Sequence, residues 1–240
     1  MKPAPFDYAA PTSLDEALAL LGDDAKPLAG GQSLVPLLNF RLARPRLVVD
    51  LNGVAGLAGI RRVDGALRIG ALTRQSALER SAVVADGWPV LRDAVRHVAH
   101  AAIRNRGTVG GSVAHADPAA ELPCALVALD ARFHVRSTRG ARTLAADAFF
   151  VGPLQSALEP DELLTEIEVP PIAAATLQGF AEYARTHGDF ALACAAVVGE
   201  RVALGGVGPT PLAVTHLDEA HIADPYRRAL VAELVRRARA

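Results

Sequence analysis

Two short segments, AGGQSL at residues 29–34 and TVGGSV at residues 108–113, constrain this chain more than any other feature. Each places two glycines and a serine directly after an apolar or structured stretch. Glycine takes positive φ without a Cβ penalty and lets backbone approach a ligand closely. Consecutive N–H groups in such a turn form a concave nest for an anion, and a serine hydroxyl adds one more donor. The pair predicts two loops that clasp a phosphorylated ligand from both sides with little formal positive charge. No GxGxxG follows a strand, which disfavours the doubly wound dinucleotide fold, and no GxxxxGK[ST] occurs, which excludes a P-loop. From the residues alone, two unrelated tight turns would leave the same trace.

Around these segments the chain alternates between helix and strand signals. Residues 11–22 (PTSLDEALALLG) predict a helix, with Ser13 and Glu16 at capping-box spacing, Leu14, Leu18 and Leu21 on one face and Gly22 as the stop. Pro27 to Ala29 reads as a short strand running into Gly30-Gly31, and Leu47 to Leu51 as another beyond a proline-marked loop. Asp64-Gly65 centres a hairpin, Thr73 opens a helix through Leu78, and Pro89 starts a longer helix that runs on to Gly110-Gly111. After Pro123, CALVALDARFHVRS and later LLTEIEVP read as strands, and Tyr226 to Ala240 as an Arg-rich terminal helix. Pro170-Pro171 marks a boundary, with residues 1–171 (parts 1–53 and 54–171) before it and 172–240 after it.

Composition narrows the function. With 25 Lys and Arg against 26 Asp and Glu, the net charge of −1 argues against nucleic-acid binding by phosphate neutralisation. The two cysteines, Cys124 and Cys194, sit in apolar runs without CxxC spacing, so they read as buried small hydrophobes and not as ligands of a cluster or zinc. His97 and His100 lie three apart and His115 is near Asp117, a set that reads as surface chemistry sooner than as a metal site. No signal peptide and no apolar run near the ~20 residues of a membrane span is evident, which predicts a cytoplasmic protein without a transmembrane segment.

AGGQSLVPLLNFRLARPRLVVDLN, followed at a distance by RNRGTVGGSVAHADPAAELP, resembles the FAD-binding domain of the molybdopterin-dehydrogenase family, which includes the medium subunit of aerobic carbon monoxide dehydrogenases and the flavin domain of xanthine dehydrogenase. LLTEIEVP, YARTHGDFALACAAVV, LGGVGPTP and DPYRRALVAELVRRA are similar to the segments that follow in that family, so the likeness spans nearly the whole chain. It implies an α+β fold: a two-part FAD-binding domain of the PCMH type and a small α+β C-terminal domain. That last domain looks shortened, because Glu200-Arg201-Val202 bridges directly where the family has a fuller antiparallel segment.

The resemblance also implies a site. Leu28, Ala29, Gly30, Gly31, Gln32, Ser33, Leu34 and Val35 in the first loop, and Thr108, Val109, Gly110, Gly111 and Ser112 in the second, would hold the FAD pyrophosphate and ribityl chain. Glu121 falls where the family has an acidic residue near the ribose, with Asp117 on the approach to it. Leu164 falls near a position that packs on the cofactor and Tyr183 near one that approaches the flavin ring. The implied role is electron transfer from [2Fe–2S] clusters on a small partner subunit through FAD to an external acceptor. A large subunit would hold the molybdenum cofactor, in a heterotrimer or a dimer of heterotrimers. A stand-alone FAD-dependent oxidoreductase of the same architecture and a flavin-free scaffold subunit are the alternatives.

Overall fold

The Ser13–Glu16 capping box forms: the Ser13 hydroxyl accepts from the Glu16 N–H at 3.3 Å and the Glu16 carboxylate from the Ser13 N–H at 3.4 Å. It starts a helix of six residues, Leu14–Ala19, shorter than 11–22 suggests. This computed structural model describes residues 2–240. The chain opens with β1 (Asp7–Ala9), α1 (Leu14–Ala19), β2 (Ala25–Leu28), α2 (Leu34–Asn39) and β3 (Leu47–Asp50). The three strands make a parallel sheet in the order β1-β3-β2. Its apolar filling comes from Ala17 and Leu18 of α1, Val49, Leu51 and Val54, with Leu163 from much later in the chain.

The next part begins with the hairpin β4 (Ile60–Val63) and β5 (Ala66–Gly70). Its turn places Asp64 and Gly65 at φ +50° and +82°, the double left-handed geometry that an Asp-Gly pair favours. Then come α3 (Gln75–Arg80), α4 (Ala82–Gly87), α5 (Pro89–His97), α6 (Ala101–Arg104), α7 (Val109–His115) and α8 (Glu121–Ala128). They are followed by β6 (Arg132–Ser137), β7 (Gly140–Ala145), α9 (Ala146–Phe149), β8 (Phe150–Gly152), β9 (Gln155–Ser156) and β10 (Leu163–Val169). An antiparallel sheet, β4-β5-β10-β6-β7, packs on the helices around Trp88, Leu91, Leu122, Leu126, Phe133 and Phe149.

Three sequence expectations change here. Residues 124–129 are helix, not strand, because α8 starts at Glu121. All eight of its residues are buried, so its sequence lacks the polar face by which a helix is told from a buried strand. The helix from Pro89 ends at His97, where Ala99 turns to φ +40°, and the second glycine pair belongs to α7 instead. Thr73 does not cap α3, since its hydroxyl donates to Gly59 O and accepts from Gly59 N–H, both at 3.0 Å.

Past Pro170-Pro171 the chain forms β11 (Gln178–Tyr183), β12 (Ala193–Val198), β13 (Arg201–Gly205) and β14 (Leu212–Val214), an antiparallel sheet in sequential order, and then α10 (Pro225–Ala238). β12 and β13 join through a tight turn at Gly199-Glu200. One face of this sheet carries α10 through Val231, Leu234, Val235 and Ala238. The other, through Cys194, Ala196 and Ala203, joins the core built on α5 and α8. Cys124 and Cys194, seventy residues apart in sequence (194 minus 124), are both free and buried, as their apolar runs predict.

Candidate functional site

The first glycine loop leaves the carboxyl end of β2, the position where ligands gather on parallel sheets. Gly31 takes φ +75°, and a Cβ on it would meet Val35 Cγ2 at 3.1 Å and Leu28 Cδ1 at 3.3 Å. Leu28 and Val35 thus hold Gly31 from behind. Among the described residues, the N–H groups of Gly31, Gln32, Ser33 and Leu34 donate to no protein acceptor, and the Gln32 amide closes the turn by bonding Gly30 O at 3.0 Å. A row of free donors beside a left-handed glycine is what an anion-binding nest needs.

The second loop is built differently, and the expectation of a second nest is overturned. Thr108 caps α7 by accepting from Gly111 N–H at 3.0 Å. Val109 N–H donates to Thr73 O at 2.9 Å, Gly110 N–H to Ala71 O at 2.8 Å and Ser112 N–H to Thr108 O at 3.1 Å. With its donors engaged, this loop uses glycine for closeness. A Cβ on Gly110 would sit 2.5 Å from Ala71 Cβ, and one on Gly111 2.6 Å from Thr108 Oγ1.

The two loops meet. A Cβ on Gly30 would lie 2.3 Å from Arg106 O and 2.8 Å from Gly107 Cα, so only glycine lets the first loop rest on the approach to the second. Two side chains fasten the contact. Asn52 donates to Ala29 O at 2.9 Å and accepts from Arg74 at 2.7 Å, while Arg74 also bonds Arg106 O. Asp50 orients Asn52, accepting from its backbone N–H at 2.9 Å, and in turn accepts from the Tyr8 hydroxyl at 2.5 Å. Gln75 N–H donates to Gly107 O at 2.9 Å. Asn52 closes the first quoted motif and so had a signal in the sequence. Arg74 and Gln75 had none.

Between the loops opens a cavity of about 670 Å³. Of the sequence-selected residues, Ala29, Gly30, Gly31, Gln32, Ser33, Leu34, Thr108, Gly110, Gly111, Ser112, Asp117, Glu121 and Leu164 line it. Leu28, Val35, Val109 and Tyr183 do not. Val109 is core, Val35 is 42% exposed, and Tyr183, at the end of β11, is 41% exposed. The aromatic that does reach the mouth is Phe190, 66% exposed, which the sequence reading passed over. The turn before it seats Gly188, at φ +88°, against the ring of His100. Val98, Ile103, Leu37, Leu72 and Leu158 supply apolar walls.

The lining has one cation, Lys26, among the described residues. Its most perturbed acid is Glu121, whose carboxyl is pushed up to about 7 by burial and then by the charge of Asp117. Behind it, Glu182 of β11 is pushed up to about 8 by burial and then by Glu121. The Glu182 side chain is 5% exposed, 4.0 Å from His97 Nδ1. Burial, followed by the nearby His187, lowers His97. The other acid in the wall, Glu162, is gripped by Arg142 through bonds of 2.7 and 2.6 Å. His97 packs on Phe180 and His100 on His187, and no group of three residues suited to a metal occurs among the described residues.

Residues 4–172 match the family described as FAD binding domain in molybdopterin dehydrogenase. The chain is similar to the 6-hydroxypseudooxynicotine dehydrogenase complex subunit alpha of Paenarthrobacter nicotinovorans, 49% identical over 201 residues, which are 82% of this chain and 68% of that one. It is also similar to the carbon monoxide dehydrogenase medium chain of Hydrogenophaga pseudoflava, 40% identical over 224 residues, covering 88% of this chain and 78% of the relative. A solved carbon monoxide dehydrogenase from Hydrogenophaga pseudoflava, lacking the Mo-pyranopterin moiety of its cofactor, superposes with a TM-score of 0.93 at 36% identity, over 99% of this chain and 97% of the other.

Proposed function

Because this chain belongs to the family of FAD-binding domains in molybdopterin dehydrogenases, we propose that the cavity between its glycine loops is where FAD sits. The chain is an oxidoreductase subunit of the medium, FAD-binding type, and its role is electron transfer within a multi-subunit molybdenum hydroxylase. One observation carries the assignment of the site. A loop at the end of β2 in the parallel sheet and the turn that starts α7 converge on one cavity, and glycine is needed at Gly30 and Gly110 for them to pack as closely as they do.

The residues fit the cofactor. The free N–H groups of Gly31 to Leu34 suit a pyrophosphate, which such donors bind without formal positive charge. Gly110 and Gly111, packed without side chains against Ala71 and Thr108, present backbone to the cavity, beside which a chain can lie. The apolar walls at Val98, Ile103 and Leu158 suit a ring system, and we assign Phe190, sooner than Tyr183, to cover it at the mouth. Leu28, Val35 and Val109 act from behind the loops. Residues 1–171 form the FAD-binding domain in this reading, in parts 1–53 and 54–171, and residues 172–240 a shortened C-terminal domain.

FAD, when bound, supplies redox chemistry in steps of one or two electrons; the protein binds it, orients it and tunes it. The iron–sulfur clusters we place on a small partner subunit and the molybdenum cofactor on a large one. Cys124 and Cys194 are buried together in the core, and neither can serve as a cluster ligand at the surface. Among the described residues no helix is long and apolar enough to cross a membrane.

The test is to co-express the chain with its partner subunits, record the visible spectrum and identify the released nucleotide. The wild-type complex is expected to show flavin bands and release FAD. Gly111→Val, whose Cβ would come 2.6 Å from Thr108 Oγ1 and crowd Ala29 of the first loop, is expected to lose FAD while keeping its partners. Undiminished FAD in that variant would move the site elsewhere.

A further inference from the structure

α2, which follows the first glycine loop, keeps apolar residues on the side that faces water. Side chains on a helix step about 100° from one residue to the next. Leu34 and Leu37 line the cavity and Leu38 is buried. That leaves Val35, Pro36 and Phe40 on the face away from both, all exposed, where a surface helix carries polar groups. Phe40 is 63% exposed, and Leu42, in the turn that ends the helix, is 75% exposed. The turn is held in place: Arg41 takes φ +58° and Leu42 N–H donates to Leu37 O at 2.9 Å. FAD in the cavity cannot cover this face, which lies on the far side of the helix.

Charge says what would cover it. Arg41, Arg44 and Arg46 follow in this turn, all exposed, and no acidic residue occurs from Ser33 to Arg46. Arg41 and Arg44 give their Nε–H groups to the carbonyl oxygens of Lys2 and Arg41, at 3.2 and 3.0 Å. Among the described residues none of the three forms an ion pair, whereas Arg104, Arg139 and Arg142 each meet a carboxylate. Exposed apolar and aromatic side chains beside arginine are the composition of a protein interface. We propose that the outward face of α2 and the turn after it dock a partner subunit, through a surface with an apolar centre and carboxylates around it. A second copy of this chain fits badly, because a twofold contact sets a patch against itself, arginines facing arginines. The proposal rests on the chain being one subunit of a multi-subunit molybdenum hydroxylase, which supplies a protein occupant ahead of a lipid surface.

Two double variants test this in the full-length chain co-expressed with its iron–sulfur and molybdenum subunits. Phe40→Ser with Leu42→Ser is expected to weaken subunit association by about thirtyfold, the loss of an interface hot spot. Arg44→Glu with Arg46→Glu should weaken it too, and added salt should narrow the gap from wild type by screening. Neither pair is buried in the free chain, so both variants should melt with the wild-type chain when measured without partners. Association equal to wild type in both double variants, with FAD retained, would overturn the docking surface and leave the FAD site standing. A lowered melting temperature in both would make these residues part of the fold instead. Two further outcomes would replace the occupant and overturn the proposal. One is binding of wild type to phosphatidylserine-containing vesicles that Arg44→Glu with Arg46→Glu abolishes while the subunits still associate. The other is a dimer of this chain alone that Phe40→Ser with Leu42→Ser breaks, again with the subunits still associated. Failure of the wild-type chain to assemble with those subunits at all would overturn the functional reading, and this surface with it.

Discussion

Glu121 illustrates how much a single buried side chain can decide. Its folded carboxyl titrates at about 7, raised from an ordinary 4.5 by burial and then by Asp117. Between those values the folded chain keeps a proton that the unfolded chain has released, so stability must fall as pH rises through that window. Glu182, raised to about 8, extends the decline. In FAD-free protein we expect the melting temperature to drop from pH 5 to pH 8, with Glu121 contributing up to about 1.4 kcal/mol per pH unit. Glu121→Gln should flatten the profile, and Glu121→Gln with Glu182→Gln should flatten it further; thermal melts across the range check both. At this scale the sequence was informative where the demand was local. Gly30, Gly31, Gly110 and Gly111 stood out because a glycine pair beside a serine is rare punctuation, and the structure gives each a steric reason. Gln75 and Phe190 were invisible, since neither residue type announces a cavity until distant segments surround it. Tyr183 was named on a loose motif and Phe190 not at all, yet Phe190 lines the cavity and Tyr183 does not.

Among elements, the decisive contact is the fastening of the first loop to the second through Asn52 and Arg74. These residues lie 22 apart, and Arg74 and Arg106 lie 32 apart, so no local pattern could reveal the contact. Arg74 bridges Asn52 on the side of the parallel sheet and Arg106 O on the side of the helices, and Asn52 in turn holds Ala29 O. Neither needs to touch the cofactor to govern how far apart the loops stand. Arg74→Ala and Asn52→Ala are each expected to weaken FAD by roughly five- to thirtyfold, from hydrogen bonds to a charged group of about 1–2 kcal/mol. Because the two act in one chain of bonds, the double variant should lose less than the product of the single losses, which a double-mutant cycle on FAD affinity measures. Helices and strands with a two-sided pattern, such as α5 and the Asp64-Gly65 hairpin, were legible in sequence. α8 was not, since burial on every side erases periodicity.

For the molecule as a whole, the C-terminal part keeps its place by close packing. A Cβ on Gly179 of β11 would fall 2.0 Å from Ala238 O, so α10 lies directly on the backbone of this strand. Gly179→Val is expected to push the helix off its sheet and cost several kcal/mol, as overpacking and lost burial add. Chemical denaturation should show an earlier transition, and limited proteolysis should release the C-terminal helix first.

The cleft's construction carries a thermodynamic obligation. One wall hangs from the parallel sheet and the other from the helices beside the antiparallel sheet, so whatever fills the cleft reports on the distance between them. A neighbouring subunit that grips both walls alters that distance and must change the grip on the cofactor. Linkage makes the traffic two-way: the factor by which a neighbour tightens the cofactor is the factor by which the cofactor tightens the neighbour. For a neighbour that tightens the cofactor, loading and assembly are one equilibrium seen from two ends, and the chain stripped of its cofactor holds that neighbour more weakly by the same factor.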